Sequence, residues 1–366
     1  MSNQDQMNDF PNPRKEILEM QAYSAPLENR RSLLRLDFNE NTLGPSPKVL
    51  QAIKSIELNE ISIYPEYKAL KEIVSKEYAT KYISNKEIGL FNGADAAINA
   101  IFNSFGAENE IFLTTTPTFG YYSPCAEARG MKIITCPYEG KEFIFPKNNF
   151  KEKIYKYKPK LIFICNPNNP TGTLLTSKEI IEISNINKKS LIVVDEIYEK
   201  FYGDSLLPNI NFEENNNIVI IQSLSKTAGL AGLRMGFAFG NKKIIEYINK
   251  VTGPYDINSF AVKATIAALN DKEYIENYIS EVKNAREWIR NKFKSINIRS
   301  HFCGGNYFLI WPKKDPELLE KEMRTKGILI RNMTNKESLA GSIRVSIGIK
   351  RQMELFWDTY KELDQK

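Results

Sequence analysis

Three apolar runs of this 366-residue chain each end in side chains that do chemistry. After LIFIC comes Asn166-Pro-Asn-Asn-Pro-Thr-Gly172. After LIVV comes Asp195-Glu-Ile-Tyr198, and after IVIIQ comes Ser223-Leu-Ser-Lys226. An amide, a carboxylate, a phenol, hydroxyls and an amine thus collect where buried strands are expected to end. A buried carboxylate left unpaired is costly, so these groups must satisfy one another or a polar ligand. Pyridoxal phosphate requires this set. Its aldehyde takes a lysine amine as a Schiff base, and its pyridine nitrogen needs a buried carboxylate to stay protonated. Its phenolic oxygen needs donors such as Asn and Tyr. Its phosphate needs backbone N–H groups at a helix start, together with serines and an arginine. Its ring needs a flat side chain against one face.

The remaining composition excludes several other chemistries. There is one histidine, His301, so neither a triad nor a zinc cluster is expected, and lysine is the natural proton shuttle. The four cysteines, Cys125, Cys136, Cys165 and Cys303, lack paired spacing and read as buried free thiols. The net charge of +6 is spread among interspersed acids and bases, which argues against a nucleic-acid partner. No apolar run reaches membrane-spanning length and the first residues form no signal segment, so a cytoplasmic protein is expected. In GLAGLRMGF the glycines Gly229, Gly232 and Gly236 do not make the G-x-G-x-x-G of a dinucleotide site.

The elements that must position these groups follow from the pattern. Short apolar runs (IGLFN, EIFLTTT, MKIITCPY, KLIFIC, SLIVVD and NIVIIQS) alternate with helical segments. Each ends in a polar, Gly or Pro cluster, as in an α/β fold with a mostly parallel sheet flanked by helices. In such sheets ligands sit at the carboxyl ends of the strands. A helix is expected to open on Ala94 and Asp95, and one long helix to cover residues 258–297. The Gly/Ala run after Lys226 reads as a loop. Strands and helices toward the C-terminus make a smaller α+β lobe. The expected organisation is a flexible arm over 1–20, a segment over 21–50 joining the small domain, a large cofactor-binding domain over 51–250 and a small domain over 251–366.

NPNNPTG, DEIY, SLSKTAGLAGLRMGF and SIRVSIG occur in the order and approximate spacing of fold-type I aminotransferases of class I/II, which this chain resembles over roughly residues 20–350. LDFNENTLGPSP, YPEYKAL, PTFGYY and GILIRN make it most similar to the histidinol-phosphate aminotransferase branch. The resemblance implies a role for each matched residue. Lys226 is the Schiff-base lysine and proton shuttle, Asp195 the partner of the pyridine nitrogen, and Tyr198 and Asn169 donors to the phenolic oxygen. Ser223, Ser225 and Arg234 are phosphate ligands, and Ala94 and Asp95 form the backbone cradle. Phe119 stacks on the ring where the family usually has tyrosine. Tyr64 reaches a neighbouring subunit's cofactor phosphate, which implies a homodimer. Arg344 pairs with a substrate carboxylate, a bidentate task. Arg331 contacts a substrate phosphate, with Tyr23 at the same end of the pocket and Asn39 and Glu40 lining it. NENTLGP departs from the branch's usual NENPFGP.

The implied reaction is ping-pong transamination between a small, phosphorylated amino donor and an oxo acceptor. A decarboxylase of an amino acid phosphate, such as threonine phosphate, is the alternative with the same cofactor. A non-catalytic cofactor-binding protein would not need Lys226, Asp195, Tyr198, Asn169 and Arg344 together.

Overall fold

The computed structural model describes residues 11–23, 26–78, 83–202 and 204–365. Of the arm expected over 1–20, residues 1–10 lie outside the described residues. The remainder is not loose throughout: Lys15–Glu19 form a short helix, and the Arg14 guanidinium donates to the Ala128 carbonyl at 2.8 Å.

Strand β1 is Leu34–Arg35. Seven strands then build one sheet: β2 (Ile88–Asn92), β3 (Ile111–Thr116), β4 (Lys132–Pro137), β5 (Leu161–Cys165), β6 (Leu191–Asp195), β7 (Ile218–Ser223) and β8 (Met235–Gly240). Their spatial order is β2-β8-β7-β6-β5-β3-β4. β3 to β7 pair in parallel, and β8 runs against both its neighbours, β7 and β2. The fold is thus α/β with a mostly parallel sheet.

The central strands are apolar along their length because both faces are covered. Ile162, Ile164, Ile192, Val194, Ile218 and Ile220 enter one core, and Leu161, Phe163, Leu191, Val193, Val219 and Ile221 enter the other. The second core is closed by helix Ala94–Phe105 through Ala97, Ile98, Ile101 and Phe102. The first continues into the smaller lobe, where Phe293, Phe308 and Phe356 join it.

That lobe contains β9 (Ser300–His301), β10 (Tyr307–Ile310), β11 (Ile328–Leu329), β12 (Arg331–Asn332) and β13 (Ile343–Ser346). Four of them make an antiparallel sheet in the order β12-β13-β10-β9, while β11 pairs in parallel with β1.

The Gly/Ala run after Lys226 is turns and a short 3-10 stretch, Ala231–Leu233, and a strand the pattern did not announce, β8, follows it. Its alternation places Met235, Phe237 and Phe239 in one core and Ala238 in the other. The helix expected over 258–297 is two helices, Ser259–Leu269 and Lys272–Ser295. The break falls at Asp271, whose carboxylate accepts from Ser46 Oγ and, at 2.7 Å, from Lys48 Nζ at the start of helix Pro47–Lys54.

Candidate active site

The carboxyl ends of β6 and β7 bring the acid and the amine together. Asp195, the last residue of β6, is 2% exposed. Its Oδ2 accepts from Tyr122 Oη at 2.6 Å and its Oδ1 from the Ile197 amide at 3.2 Å. Burial pushes the carboxyl up to about 6 against the pull of these two donors. Lys226, three residues beyond β7, is half-buried, and its Nζ donates to the Phe38 carbonyl at 2.8 Å. Desolvation brings its amine down to about 8; Glu40 and Asp95 oppose this, while Arg344 and Arg234 reinforce it.

Tyr198 is buried, and its oxygen accepts from Asn39 Nδ2 at 3.1 Å and Asn169 Nδ2 at 3.4 Å. With two amides donating to it, the phenol keeps its own O–H for an acceptor in the site. Asn39 is held in the left-handed region, at φ 56°, by Ser346. The Ser346 hydroxyl accepts from the Asn39 amide at 2.8 Å and donates to its Oδ1 at 3.0 Å.

A cradle lies where β2, β7 and β8 meet. Gly93, at φ 83°, opens helix Ala94–Phe105, and no side chain caps that helix start. A Cβ on Gly93 would lie 2.5 Å from Arg234 Nη2, and one on Gly236 would lie 2.4 Å from the Gly93 carbonyl carbon. Backbone and guanidinium therefore close on the helix start as tightly as atoms allow. Arg234 Nη2 donates to Asp95 Oδ2 at 2.9 Å, which aims the guanidinium there. Ser223 Oγ bonds Ser225 Oγ at 2.9 Å and the Met235 carbonyl at 3.0 Å. Uncapped N–H groups, hydroxyls and an arginine in one place form an anion site.

Phe119 stands in an aromatic wall. Its ring meets Tyr122 edge-on at 5.5 Å and Tyr23 at 6.3 Å, and Tyr23 also packs on Tyr121 at 5.7 Å. Tyr23 lies within the field of Asp95, Arg331 and Arg344, which ties the N-terminal segment to the same space.

Arg344, on β13, is buried. It donates through Nη1 to Asn169 Oδ1 and through Nη2 to the Asp37 carbonyl, each at 2.6 Å. Its Nε has no partner, and burial pulls its pKa down. Arg331, on β12, stands directly across the antiparallel pair from Arg344 and lies 5.7 Å from the Phe38 ring centre. Glu40 is taken up by Arg30 and Arg35, at 3.0 and 3.2 Å.

Tyr64 does not join this group. It is 68% exposed and stacks on Tyr255 at 3.9 Å. Tyr122 was missed by the sequence reading, although it sits in the PTFGYY motif. A buried tyrosine after a strand reads as core, and only the fold shows its hydroxyl on Asp195.

The family model for aminotransferase class I and II matches residues 31–356. The chain belongs to the class I and II aminotransferases. It is 31% identical over 340 residues to a histidinol-phosphate aminotransferase of Caldanaerobacter subterraneus subsp. tengcongensis, covering 91% of this chain and 93% of that protein. It is 32% identical over 343 residues to one of Clostridium novyi, covering 93% of each. Its fold matches the crystal structure of histidinol-phosphate aminotransferase from Sinorhizobium meliloti in complex with pyridoxal-5'-phosphate. That match has a TM-score of 0.84 at 21% identity, over 98% of this chain and 100% of that one.

Within this aminotransferase the departure at Thr42 has a local use. The Thr42 hydroxyl donates to Gln352 Oε1 at 2.6 Å, tying the segment before helix Pro47–Lys54 to the start of helix Lys350–Asp364.

Proposed function

We propose that the protein is a pyridoxal 5'-phosphate-dependent aminotransferase. It exchanges an amino group between a small phosphorylated amine of the histidinol-phosphate class and an oxo acid, in a ping-pong cycle. The observation that carries this reading is the convergence of the Lys226 amine, the Asp195 carboxylate and the uncapped helix start at Ala94 on one sheet edge. The relatives named above support the substrate class.

The residues present fit the cofactor. Ser223, Ser225, Arg234 and the N–H groups from Ala94 and Asp95 would hold its phosphate. Asp195 would face its ring nitrogen, Tyr198 and Asn169 its phenolic oxygen, and Phe119 its ring. Bound there, it supplies an aldehyde that takes up amines covalently and a ring that accepts the electron pair left when an α-proton departs.

The chain does the rest. Lys226 removes the substrate's α-proton and returns one on the way to product. An amine near 8 keeps a neutral, basic fraction at neutral pH. Tyr122 and the Ile197 amide favour the carboxylate form of Asp195 against the push of burial. Arg344, a buried cation bonded only to neutral oxygens, takes a carboxylate. Arg331 and Tyr23 face the phosphate end, and Asn39 lines the wall between.

The reading includes a homodimer. Leu58, Ile61, Ile63, Tyr64 and Tyr255 form an exposed apolar surface, Leu58 at 82% exposure, and a second copy would cover it. It also keeps the large domain over 51–250 and the small one over 251–366. Four unpaired cysteines suit a cytoplasmic setting.

The test is amino transfer from histidinol phosphate to an oxo acid, followed by absorbance of the bound cofactor. Wild type is expected to transfer, and Lys226→Ala to fold and lose turnover. A Lys226→Ala protein that transaminates at the wild-type rate would overturn the assignment. Carbon dioxide release from an amino acid phosphate without any acceptor would replace transamination by decarboxylation.

A further inference from the structure

Arg331 and Arg344 are Cα partners across the β12/β13 pair, and like charges directly opposite one another destabilise a sheet. A third cation joins them. Lys336 sits in the connection between these strands, its amide bonded to the Met333 carbonyl at 3.0 Å and its carbonyl to the Leu339 amide at 2.8 Å. Met333 and Leu339 are buried against Phe143 and Leu309, so both flanks of the turn are pinned. Lys336 itself is half-buried. Desolvation, Arg331 and Arg344 all push its ammonium in the same direction, downward, and no acid among the described residues opposes them. None of the ion pairs among the described residues includes Arg331, Lys336 or Arg344.

We infer that Lys336 is a specificity-determining residue that grips the dianionic phosphate of the substrate together with Arg331. This rests on the phosphorylated-amine reading above and deepens it. Two arginines match one carboxylate and one monoanion; a third cation on a pinned turn matches the second charge of a phosphate. Arg344 already spends two of its N–H groups on Asn169 and Asp37, which leaves Arg331 and Lys336 as the free pair. A substrate with a neutral hydroxyl in place of the phosphate would leave Arg331 and Lys336 uncompensated, so the same pair selects against it.

The experiment compares wild type, Lys336→Met and Lys336→Arg as holoenzymes, with histidinol phosphate and histidinol as donors and inorganic phosphate as competitor. Lys336→Met is expected to raise KM for the phosphorylated donor and Ki for phosphate by about tenfold or more, the usual loss of one charge-assisted hydrogen bond. kcat, KM for histidinol and the melting temperature should hold, and Lys336→Arg should restore most of the affinity. Unchanged KM and phosphate Ki in Lys336→Met overturn the role of Lys336. A wild type inactive on every phosphorylated amine overturns the functional reading instead. The Lys336 role then stands or falls on phosphate binding, read by the thermal shift that phosphate gives the holoenzyme.

Discussion

Tyr122 donates its hydroxyl to Asp195 Oδ2 at 2.6 Å, across 73 residues of sequence. Burial and the neighbouring carboxylate hold the phenol's own pKa well above the ordinary range, so it is a permanent donor. The acid near 6 is therefore lower than its burial alone would make it. Tyr122→Phe removes that donor and raises Asp195 further. The acid limb of the pH profile of kcat/KM should move up by about one pH unit, as expected for loss of a hydrogen bond to a charged group. An acid limb that stays in place would show that Tyr122 only fills space.

Gly236→Ala tests the cradle. The new Cβ would meet the Gly93 carbonyl carbon at 2.4 Å and the Ala94 amide at 2.5 Å, both backbone atoms. Since neither can swing away, β2 and the helix start that follows it must move off β8. A stability loss of about 1–3 kcal/mol is expected from such overpacking. Cofactor affinity, titrated by absorbance, should fall by about tenfold or more as the uncapped N–H groups move off the phosphate. Wild-type affinity would mean that the close approach is incidental.

Glu196 gives a pH dependence that has nothing to do with turnover. It is fully buried and accepts from the Leu206 amide at 2.9 Å, Ser205 Oγ at 2.5 Å and Gln222 Nε2 at 3.1 Å. Burial nevertheless pushes it up to about 8, with Glu199 adding to the effect. A carboxyl raised in the folded state contributes stability that is fully present below its unfolded value of 4.5 and is lost as pH rises through about 8. Wild-type urea midpoints should therefore fall between pH 5 and pH 8. Those of Glu196→Gln should fall less, since the buried carboxyls of Glu199 and Asp195 still titrate. Equal falls in both proteins would contradict the assignment.

The exposed apolar surface makes a simple prediction about assembly. Leu58→Glu combined with Ile63→Glu places charge on a face that a second copy would cover. Sedimentation should show the variant as a monomer where wild type is a dimer, with activity lost in step if Tyr64 serves the neighbouring site. Two proteins of the same mass in solution would remove this surface from consideration.

The strand ends were legible because a strand buried on both faces reads as continuous Ile, Val and Leu and stops abruptly. Lys226, Asp195 and Tyr198 stand just past such stops. Tyr122 carried no comparable signal, since nothing local separates a tyrosine that donates to a distant carboxylate from one that fills the core. β8 was hidden by Gly236 and Gly240 and by the Gly/Ala run before it, although Met235, Phe237 and Phe239 alternate as a strand should. The helix break at Asp271 depends on Ser46, 225 residues away, and no periodicity encodes that. Lys336 was overlooked for a related reason. Its meaning depends on the register that sets Arg331 against Arg344, and register is a property of the paired strands.

β8 also sets a timetable for synthesis. Among the described residues β2 has β8 as its one partner in the sheet, so it leaves the ribosome long before it can be seated. The helix start at Ala94 waits with it. Asp195 and Lys226 are made before the strand that draws the phosphate cradle shut, and Arg344 follows later still. A nascent or truncated chain ending before β8 carries Lys226 without the strand that packs Gly236 against the helix start at Ala94.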